Sequence, residues 1–444
     1  MREISLDNIE KYSKNYETRN LKTLQNSVQK NGINNATFNT KASTLDQHIY
    51  SLDIKTGKVS NQKQSGRCWM FAALNNFRHK LNKDFNILDF ELSQTYTFFW
   101  DKLEKSNYFL ENIIKTKDED IDSRIVRFLL TTPQQDGGQW DMLVSIIKKY
   151  GIVPKYVMPD VFHSTSSVKL NSLLNKKLRQ AAVKLRKLNE NKASLEELVK
   201  EKELILDEIY SFLAVSLGEP PKSFDFEFED KDGKFVRDAN ITPKEFYDKY
   251  VGIDLDDYVS IINAPTKDKP YYNTFTVSYL GNVISGRDVK YLNVPMDVLK
   301  KLAISQLQDG YTVWFGCDVG QSSDRVLGLM DLDIFDINNS YNINFDLTKE
   351  EALDYCDSLM THAMVLSGVN LVDGVANRWK VENSWGEEPG KKGYFLMTDA
   401  WMDRYTYQVV INKKYLTEEM KKSLEKEPIV LKPWDPMGSL AFMK

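Results

Sequence analysis

The sequence predicts an α+β fold in which helices occupy the first half of the chain and strands dominate the second. Apolar residues recur at helical spacing in several segments before residue 220. After residue 222 they alternate with polar residues or form short apolar runs, as strands do. The 444 residues are 42% hydrophobic and 12% aromatic, which is enough to fill a large core and excludes a chain that is disordered throughout.

Charge and cysteine content limit the class of protein. The net charge of −4 at pH 7 gives no general attraction to nucleic acid. No run approaches the ~18 apolar residues of a membrane span, and the first residues lack the pattern of a secretory signal. The cysteines Cys68, Cys317 and Cys356 lie far apart, which favours a reducing compartment, and we expect a cytoplasmic protein. The sequence has neither a CxxC pair nor an HExxH motif, so we expect no metal site and no cofactor.

The first predicted unit, residues 1–60, is a polar N-terminal arm that begins with a helix capped at Ser5. Residues 61–167 form a predicted helical lobe. Within it a polar loop leads to a buried helix that starts at or just after Cys68. The apolar residues that repeat at helical spacing there are Trp69, Ala72, Ala73 and Phe77. A further helix is predicted over 141–150.

The next predicted unit, residues 168–221, is a helical hairpin inserted between two lobes. Ser194 and Glu197 form a capping-box pattern that opens its second helix. Residues 222–429 are predicted as a β-rich lobe, and residues 430–444 as a C-terminal arm. The segments that predict strands in the β-rich lobe are 224–228, 272–277, 311–317, 363–372 and 378–383, with a helix at 296–307 among them.

Cys68 is the first candidate for chemistry. It lies where a loop meets the start of a helix, and the unpaired N–H groups and the dipole there favour a thiolate. The alternative is a small, buried hydrophobic residue. Gln62 lies six residues earlier, and its amide and the backbone N–H of Cys68 could together bind an oxyanion. The alternative for Gln62 is a solvated glutamine in a loop.

His362 and Asn383 are the candidate base and its partner. A hairpin folded about Asp373 and Gly374 brings residues 362 and 383 within about two positions of each other on the same face of the sheet. The Asn383 amide could then fix the tautomer of His362, as the third member of a Cys-His-Asn site does. The alternatives are a histidine at the end of a strand and an asparagine in a turn.

These segments resemble a known family. Asn-Gln-Lys-Gln-Ser-Gly-Arg-Cys-Trp at 61–69 resembles the nucleophile loop of papain-like cysteine peptidases, and the segments at 362–363 and 382–386 resemble their base and orienting segments. More narrowly, the chain from about 5 to 441 resembles the branch of bleomycin hydrolase and bacterial aminopeptidase C. The motifs that carry this are Ser-Gly-Arg-Cys-Trp at 65–69, Phe-Phe-Trp-Asp-Lys at 98–102, Asp-Gly-Gly-Gln-Trp at 136–140 and Trp-Asp-Pro-Met-Gly at 434–438. Ser65 replaces a cysteine of the papain signature, in agreement with a cytosolic enzyme.

The resemblance implies a two-lobed papain-like fold and a cytosolic thiol aminopeptidase that acts on short peptides, with bleomycin-type amides and thiolactones as further substrates. The implied nucleophile is Cys68, the implied general base and acid is His362, and Asn383 would orient that base. Gln62 would be the oxyanion donor, and Trp385 would shield the hydrogen bond between His362 and Asn383. Gly138, preceded by Gly137, would pair with bound peptide through its backbone. The alternative for this glycine pair is a structural turn.

The resemblance also implies an assembly and a role for the tail. Six copies would enclose a chamber with inward-facing active sites, and the helical insertion would help the subunits interlock. The C-terminal arm would lie in the cleft, where a terminal carboxylate would pair with the ammonium group of the substrate. Three residues follow Ala441, so we expect the enzyme to trim its own tail at or near Ala441. The alternative is an untrimmed tail.

Two other functions remain open on the sequence. Residues 169–192 carry eight Lys or Arg residues against the single acid Glu190, which would suit a nucleic-acid-binding protein. A run of this kind on a helix is otherwise a solvated face. The third possibility, a catalytically inactive scaffold, is disfavoured because all four candidate catalytic residues are present.

Overall fold

The structure is a computed structural model that describes residues 1–45, 47–85, 87, 90–230 and 232–440. In the first half of the chain, its α-helices are α1 Leu6–Thr18, α2 Lys22–Asn31, α3 Ile33–Thr37, α4 Cys68–Phe85, α5 Gln94–Lys115, α6 Arg124–Thr131, α7 Trp140–Tyr150, α8 Phe162–Thr165, α9 Val168–Glu190 and α10 Leu195–Leu217. The predicted start of a helix at Cys68 and the predicted capping box at Ser194 are confirmed. Among the described helices, none is long and apolar enough to cross a lipid bilayer.

The strands lie mostly in the second half. They are β1 Leu52–Asp53, β2 Phe224–Glu229, β3 Phe235–Ile241, β4 Tyr258–Ile262, β5 Thr274–Val277, β6 Tyr291–Asn293, β7 Val313–Cys317, β8 Ser323–Asp324, β9 Leu329–Met330, β10 His362–Val372, β11 Val375–Glu382, β12 Tyr394–Thr398, β13 Thr406–Asn412 and β14 Ile429–Leu431. The helices between them are α11 Pro243–Phe246, α12 Met296–Gln308, α13 Ile337–Tyr341, α14 Lys349–Asp354, α15 Asp399–Tyr405 and α16 Glu418–Leu424. The mixed α+β class is therefore confirmed. The division into two lobes, an insertion and an arm stays a prediction.

One sheet organises the second half of the chain. Its strands follow the order β14-β5-β6-β4-β13-β7-β10-β11-β12-β9-β8, and β1 adds to β10. The β2–β3 hairpin stands outside this sheet. Phe226 of that hairpin packs instead into the helical core, where its ring lies 4.8 Å from Phe246 and 4.6 Å from Tyr250.

The β10–β11 hairpin fixes the register that matters for the site. Asp373 and Gly374 form its two-residue turn, both with positive φ (51° and 81°), as a tight hairpin turn requires. Val365 pairs with Glu382, so Asn383 follows opposite Met364, two positions from His362. The predicted offset of two residues and the predicted shared face are confirmed.

Two large hydrophobic cores flank the sheet, and a small third cluster of described residues packs on β9 and β12. The first contains the buried faces of α4, α5, α7, α9 and α10, and the second lies between the sheet and the helices α12 and α15. Helix α4 joins the two halves, because its first residues lie against the strands of the sheet. The indole Nε1 of Trp314, on β7, donates to the carbonyl of Trp69 at 3.2 Å. The start of α4 is therefore held next to the beginning of β10.

Candidate active site

The loop before α4 is anchored from several sides. The backbone N–H of Gly66 donates to Asp136 Oδ2 at 2.9 Å, and the indole of Trp69 donates to the Asp136 carbonyl at 2.8 Å. Arg67 is fully buried, where its guanidinium donates to Ser65 Oγ at 2.9 Å and pairs with Asp160 at 3.4 Å. Cys68 follows at the first position of α4 and is itself buried. Its main chain is thus fixed before any substrate binds.

The thiol of Cys68 lies at the start of β10. Burial raises the pKa of this thiol to about 12, while the backbone amides of Ala363, Trp69 and Cys68 act in the opposite direction and favour the thiolate. Ala363 directly follows His362. The structure therefore brings the candidate nucleophile and the candidate base to the same place.

His362 is hydrogen-bonded to Asn383. Its Nε2 lies 2.9 Å from Asn383 Oδ1, and the backbone N–H of Ser384 donates to that same oxygen at 2.8 Å, which fixes the side-chain amide. Because Oδ1 only accepts, Nε2 must carry a proton. In the neutral imidazole Nδ1 then carries no proton and can accept one. Burial lowers the pKa of His362 to about 4, while the hydrogen bond to Asn383 raises it.

Trp385 lies against this pair. Its ring stacks on the His362 imidazole with centroids 4.9 Å apart and an interplanar angle of 29°. Both His362 and Asn383 are buried, whereas Trp385 keeps part of its surface exposed. The indole therefore covers one face of the imidazole.

Gln62 connects the nucleophile loop to the segment after Asn383. Its Nε2 donates to the carbonyl of Ser65 at 2.6 Å, and its Oε1 accepts from Ser384 Oγ at 2.6 Å. Its backbone N–H donates to the Ser384 carbonyl at 2.8 Å. Since an amide nitrogen has two hydrogens, Nε2 keeps one for another acceptor. Gln62 is buried, so the solvated-loop alternative does not describe it.

The Gly137–Gly138 pair lies beside Trp69. A Cβ on Gly138 would come within 2.5 Å of the Trp69 indole, so only glycine fits there. The carbonyl of Gly137 accepts from Lys105 Nζ at 2.5 Å. Within the described part of the chain, no hydrogen bond uses the backbone of Gly138. The glycine pair can therefore form a structural turn and still offer the backbone of Gly138 to a bound peptide.

A buried charge cluster beneath these loops was missed by the sequence reasoning. Lys102 Nζ lies 2.7 Å from Asp136 Oδ1, and Lys105 Nζ lies 2.7 Å from Asp101 Oδ2. Lys102 and its neighbours hold the pKa of Asp136 well below its ordinary value, despite burial. The signal was the presence of Asp101 and Lys102 directly after the apolar run Phe98-Phe-Trp, since buried charges are paired.

The chain near its C-terminus touches both sides of the site. Gln139 Nε2, next to the glycine pair, donates to the carbonyl of Ser439 at 2.9 Å. Ser439 Oγ donates to the carbonyl of Met360 at 2.8 Å, two residues before His362. Asp435 pairs with the buried Lys269 at 2.9 Å. Ala441 lies outside the described residues.

The basic helix α9 uses much of its charge within the protein. Arg179 donates to the carbonyls of Leu130 and Thr131, and Arg186 to those of Thr116 and Glu119. Lys177 and Lys184 pair with Glu208 and Glu201 of α10. Nucleic-acid binding stays a hypothesis that these contacts do not favour.

A buried thiol beside an imidazole–amide pair is the arrangement expected of a thiol peptidase. The model of the Peptidase C1-like family matches residues 3–438. Aminopeptidase C of Listeria innocua is 58% identical over 441 residues, which cover 99% of each protein. Bleomycin hydrolase of Gallus gallus is 45% identical over 406 residues, or 90% of this chain and 89% of that protein. The crystal structure of PepW from Lactobacillus rhamnosis superposes with a TM-score of 0.98 at 55% identity, covering 99% of both chains.

The chain therefore belongs to the Peptidase C1-like family of cysteine peptidases. The resemblance to the branch of aminopeptidase C and bleomycin hydrolase is confirmed. The predicted class of enzyme, a papain-like cysteine aminopeptidase, is confirmed with it.

Proposed function

We propose that this aminopeptidase releases N-terminal residues from short peptides by a thiol mechanism in which Cys68 is the nucleophile and His362 the general base and acid. The observation that carries the proposal is the 2.9 Å hydrogen bond between His362 Nε2 and Asn383 Oδ1, because it leaves Nδ1 free to accept a proton while the thiol lies near Ala363, the next residue along the chain. Asn383 holds the ring in the required tautomer, and Trp385 shields that hydrogen bond.

The proposed reaction has two halves. The Sγ proton of Cys68 passes to His362 Nδ1, and the sulfur attacks the carbonyl carbon of the first peptide bond. The negative charge that develops on the carbonyl oxygen is bound by Gln62 Nε2–H and the backbone N–H of Cys68. His362 then gives its proton to the leaving amine, and a thioester remains. Water, deprotonated by His362, hydrolyses the thioester and restores the thiol.

Substrate backbone would pair with Gly138, whose backbone groups have no partner within the described part of the chain. The C-terminal arm would close the cleft beyond it. In support, Ser439 links Gln139 on one side of the site with the Met360 carbonyl on the other. A closed end favours removal of N-terminal residues over internal cleavage. Bleomycin-type amides and thiolactones are further proposed substrates, since both present a carbonyl to the same thiol.

A hexamer of the 51.4 kDa chain, with its active sites facing an inner chamber, is the proposed assembly. Helix α1 supports the presence of an interface with another chain. It has no buried residue, and it exposes the apolar side chains of Leu6, Ile9 and Tyr12. A second copy of the chain would cover this apolar face. Light scattering of the purified protein measures the mass, and a monomer at micromolar concentration would contradict the assembly.

The chemistry is tested with an amino-acid amide and its N-blocked counterpart. We expect hydrolysis of the free amide only, complete loss in Cys68→Ser, and inactivation of the wild type by a thiol alkylator. Cys356→Ser is the matched control, because Cys356 is an exposed free cysteine, and it should keep both activity and sensitivity to the alkylator. Activity in Cys68→Ser, or loss only in Cys356→Ser, would refute the assignment.

The arm is tested by deletion of residues 434–444. The deleted variant should accept N-blocked peptides, which the full chain should reject. Unchanged rejection would contradict the blocking role. Self-trimming at or near Ala441 is tested by the intact mass of active protein and of Cys68→Ser, and full-length mass in both would exclude it.

A further inference from the structure

An arginine with an exposed side chain lies next to the site. Arg325 lies in the turn between β8 and β9, and its guanidinium carbon lies 4.5 Å from the centroid of the Trp385 ring. Among the described residues, Arg325 forms no ion pair and no hydrogen bond through its side chain. Its neighbour Asp324 uses Oδ1 to accept from the backbone N–H groups of Val326 and Leu327 at 2.8 and 2.9 Å.

The turn that carries Arg325 is held in place by the sheet. Gly390 N donates to the carbonyl of Val326 at 3.0 Å, and Leu396 N donates to that of Gly328 at 2.8 Å. Strand β9 pairs with β12. Arg325 is thus an exposed cation on an anchored turn, with an aromatic ring beneath it. Because the turn and the ring already restrict the guanidinium, it loses less conformational entropy when it binds a ligand.

The position of Trp385 tells which part of a substrate Arg325 would meet. The same indole stacks on His362 at 4.9 Å, so Arg325 and the imidazole contact one ring. The charge of Arg325 also reaches His362, whose pKa it lowers. In the proposed mechanism His362 protonates the leaving amine, so the leaving group must lie beside the imidazole. Arg325 therefore lies close to the residue that protonates the leaving amine in the proposed mechanism.

The distances suit a very short leaving group. The separation of the His362 ring from the Arg325 guanidinium cannot exceed the sum of their two spacings from the indole. One residue spans at most ~3.6 Å, and charge-assisted hydrogen bonds at each end add about 3 Å apiece. A leaving group of one or two residues is therefore long enough to reach from the His362 ring to the Arg325 guanidinium.

We propose that Arg325 binds a carboxylate of the leaving group, and that it thereby favours short peptides with a free C-terminus or an acidic side chain just after the cleaved bond. This inference rests on the proposed thiol mechanism. Arginine suits the role because its planar fork binds a carboxylate through two parallel hydrogen bonds. The enzyme then has a contact for the free end of a dipeptide in addition to its contacts with the N-terminal residue.

The test compares leaving groups that differ only in charge. The N-terminal residue is taken from the amino-acid amide that the wild type hydrolyses fastest. Its dipeptides with glycine and with glycinamide differ in the terminal carboxylate, and those with aspartyl amide and asparaginyl amide differ in a side-chain carboxylate. We expect KM of the wild type to be roughly three- to tenfold lower for the charged member of at least one pair. The difference should shrink at high salt.

In Arg325→Gln the ratio of KM values within that pair should approach one, and Arg325→Lys should be intermediate because it keeps the charge without the fork. Arg19→Gln, which removes an exposed cation far along the chain, should leave the ratio as in the wild type. An unchanged ratio of KM values in Arg325→Gln would overturn the inference while leaving the thiol mechanism intact. Failure of the wild type to hydrolyse any amide would overturn both.

Discussion

Replacement of Lys102 by methionine tests whether the buried charge cluster supports the nucleophile loop. Lys102 has no exposed surface, and its Nζ lies 2.7 Å from Asp136 Oδ1 and 2.6 Å from Gln134 Oε1. Methionine fills similar space without the charge. The carboxylate of Asp136 then stays buried without its cation, although Gly66 N and Asn171 Nδ2 still donate to it at 2.9 and 2.7 Å.

Loss of one partner from a buried pair costs ~3–5 kcal/mol. The remaining donors offset part of this, so we expect the free energy of unfolding to fall by about 3 kcal/mol at pH 7. The native pKa of Asp136 is lowered, so its contribution is present above the unfolded value of ~3.9 and is lost as pH falls through the native value. The difference in free energy of unfolding between wild type and Lys102→Met should therefore stay constant down to about pH 4 and narrow as pH falls further.

Urea unfolding followed by circular dichroism measures the effect, and kcat/KM for an amino-acid amide reports on the loop. Lys414→Met is the control, because Lys414 forms a half-exposed pair with Asp309 at 2.8 Å and should cost less than ~1 kcal/mol. A loss in Lys102→Met as small as in the control would refute the idea that the cluster carries the loop.

Two further predictions concern single residues. Gly138→Ala should lower both the melting temperature and the activity, because the new Cβ would lie 2.5 Å from the Trp69 indole. Gly320→Ala is the control and should be neutral, since a Cβ there meets nothing closer than 3.9 Å. Equal melting temperatures of the two variants would contradict the close approach at Gly138. Burial lowers the pKa of Lys349 to about 7. Unfolded lysine titrates near ~10.4, so between pH 7 and ~10.4 the unfolded chain binds more protons than the folded one. Lys349 therefore makes the free energy of unfolding rise with pH in that range, by up to ~1.4 kcal/mol per pH unit. Urea unfolding at pH 7 and pH 9 should show that Lys349→Met removes that rise, and an identical pH dependence in both proteins would contradict the prediction.

The parts of the site that sequence could predict depend on local rules. The start of α4 at Cys68 follows from helical periodicity after a polar loop. The meeting of His362 and Asn383 follows from one turn, Asp373-Gly374, because a two-residue hairpin fixes the register over the whole strand pair. Two bulges interrupt this pairing, yet their shifts cancel, so the predicted offset survives.

The remaining parts depend on contacts between distant segments. Lys102 and Asp136 are 34 residues apart in the sequence, and nothing in either segment shows that the two side chains face each other. Arg325 meets Trp385 only because β9 pairs with β12 and carries the turn there. In the same way, the placement of β2 against the helical core depends on the packing of Phe226 and not on its alternating pattern.

Burial of the two reacting groups determines how the proposed reaction must begin. It raises the pKa of the Cys68 thiol to about 12 and lowers that of His362 to about 4, so a lone charge on either group is unfavourable. A proton that passes from Sγ to Nδ1 creates opposite charges side by side and leaves the net charge of the site unchanged, and their attraction offsets the loss of solvation. Asn383 Oδ1 favours the imidazolium, and the amides of Trp69 and Ala363 favour the thiolate.

Asn383→Ala should therefore act on the chemical step and not on binding. Without Oδ1 the imidazolium is less favourable and the ring is free to turn, so kcat should fall while KM stays near that of the wild type. The loss should be smaller than in His362→Ala, which removes the proton acceptor itself. Steady-state kinetics on an amino-acid amide separate the two parameters. A rise in KM at unchanged kcat would mean that Asn383 contacts the substrate and that its hydrogen bond to His362 does not assist proton transfer.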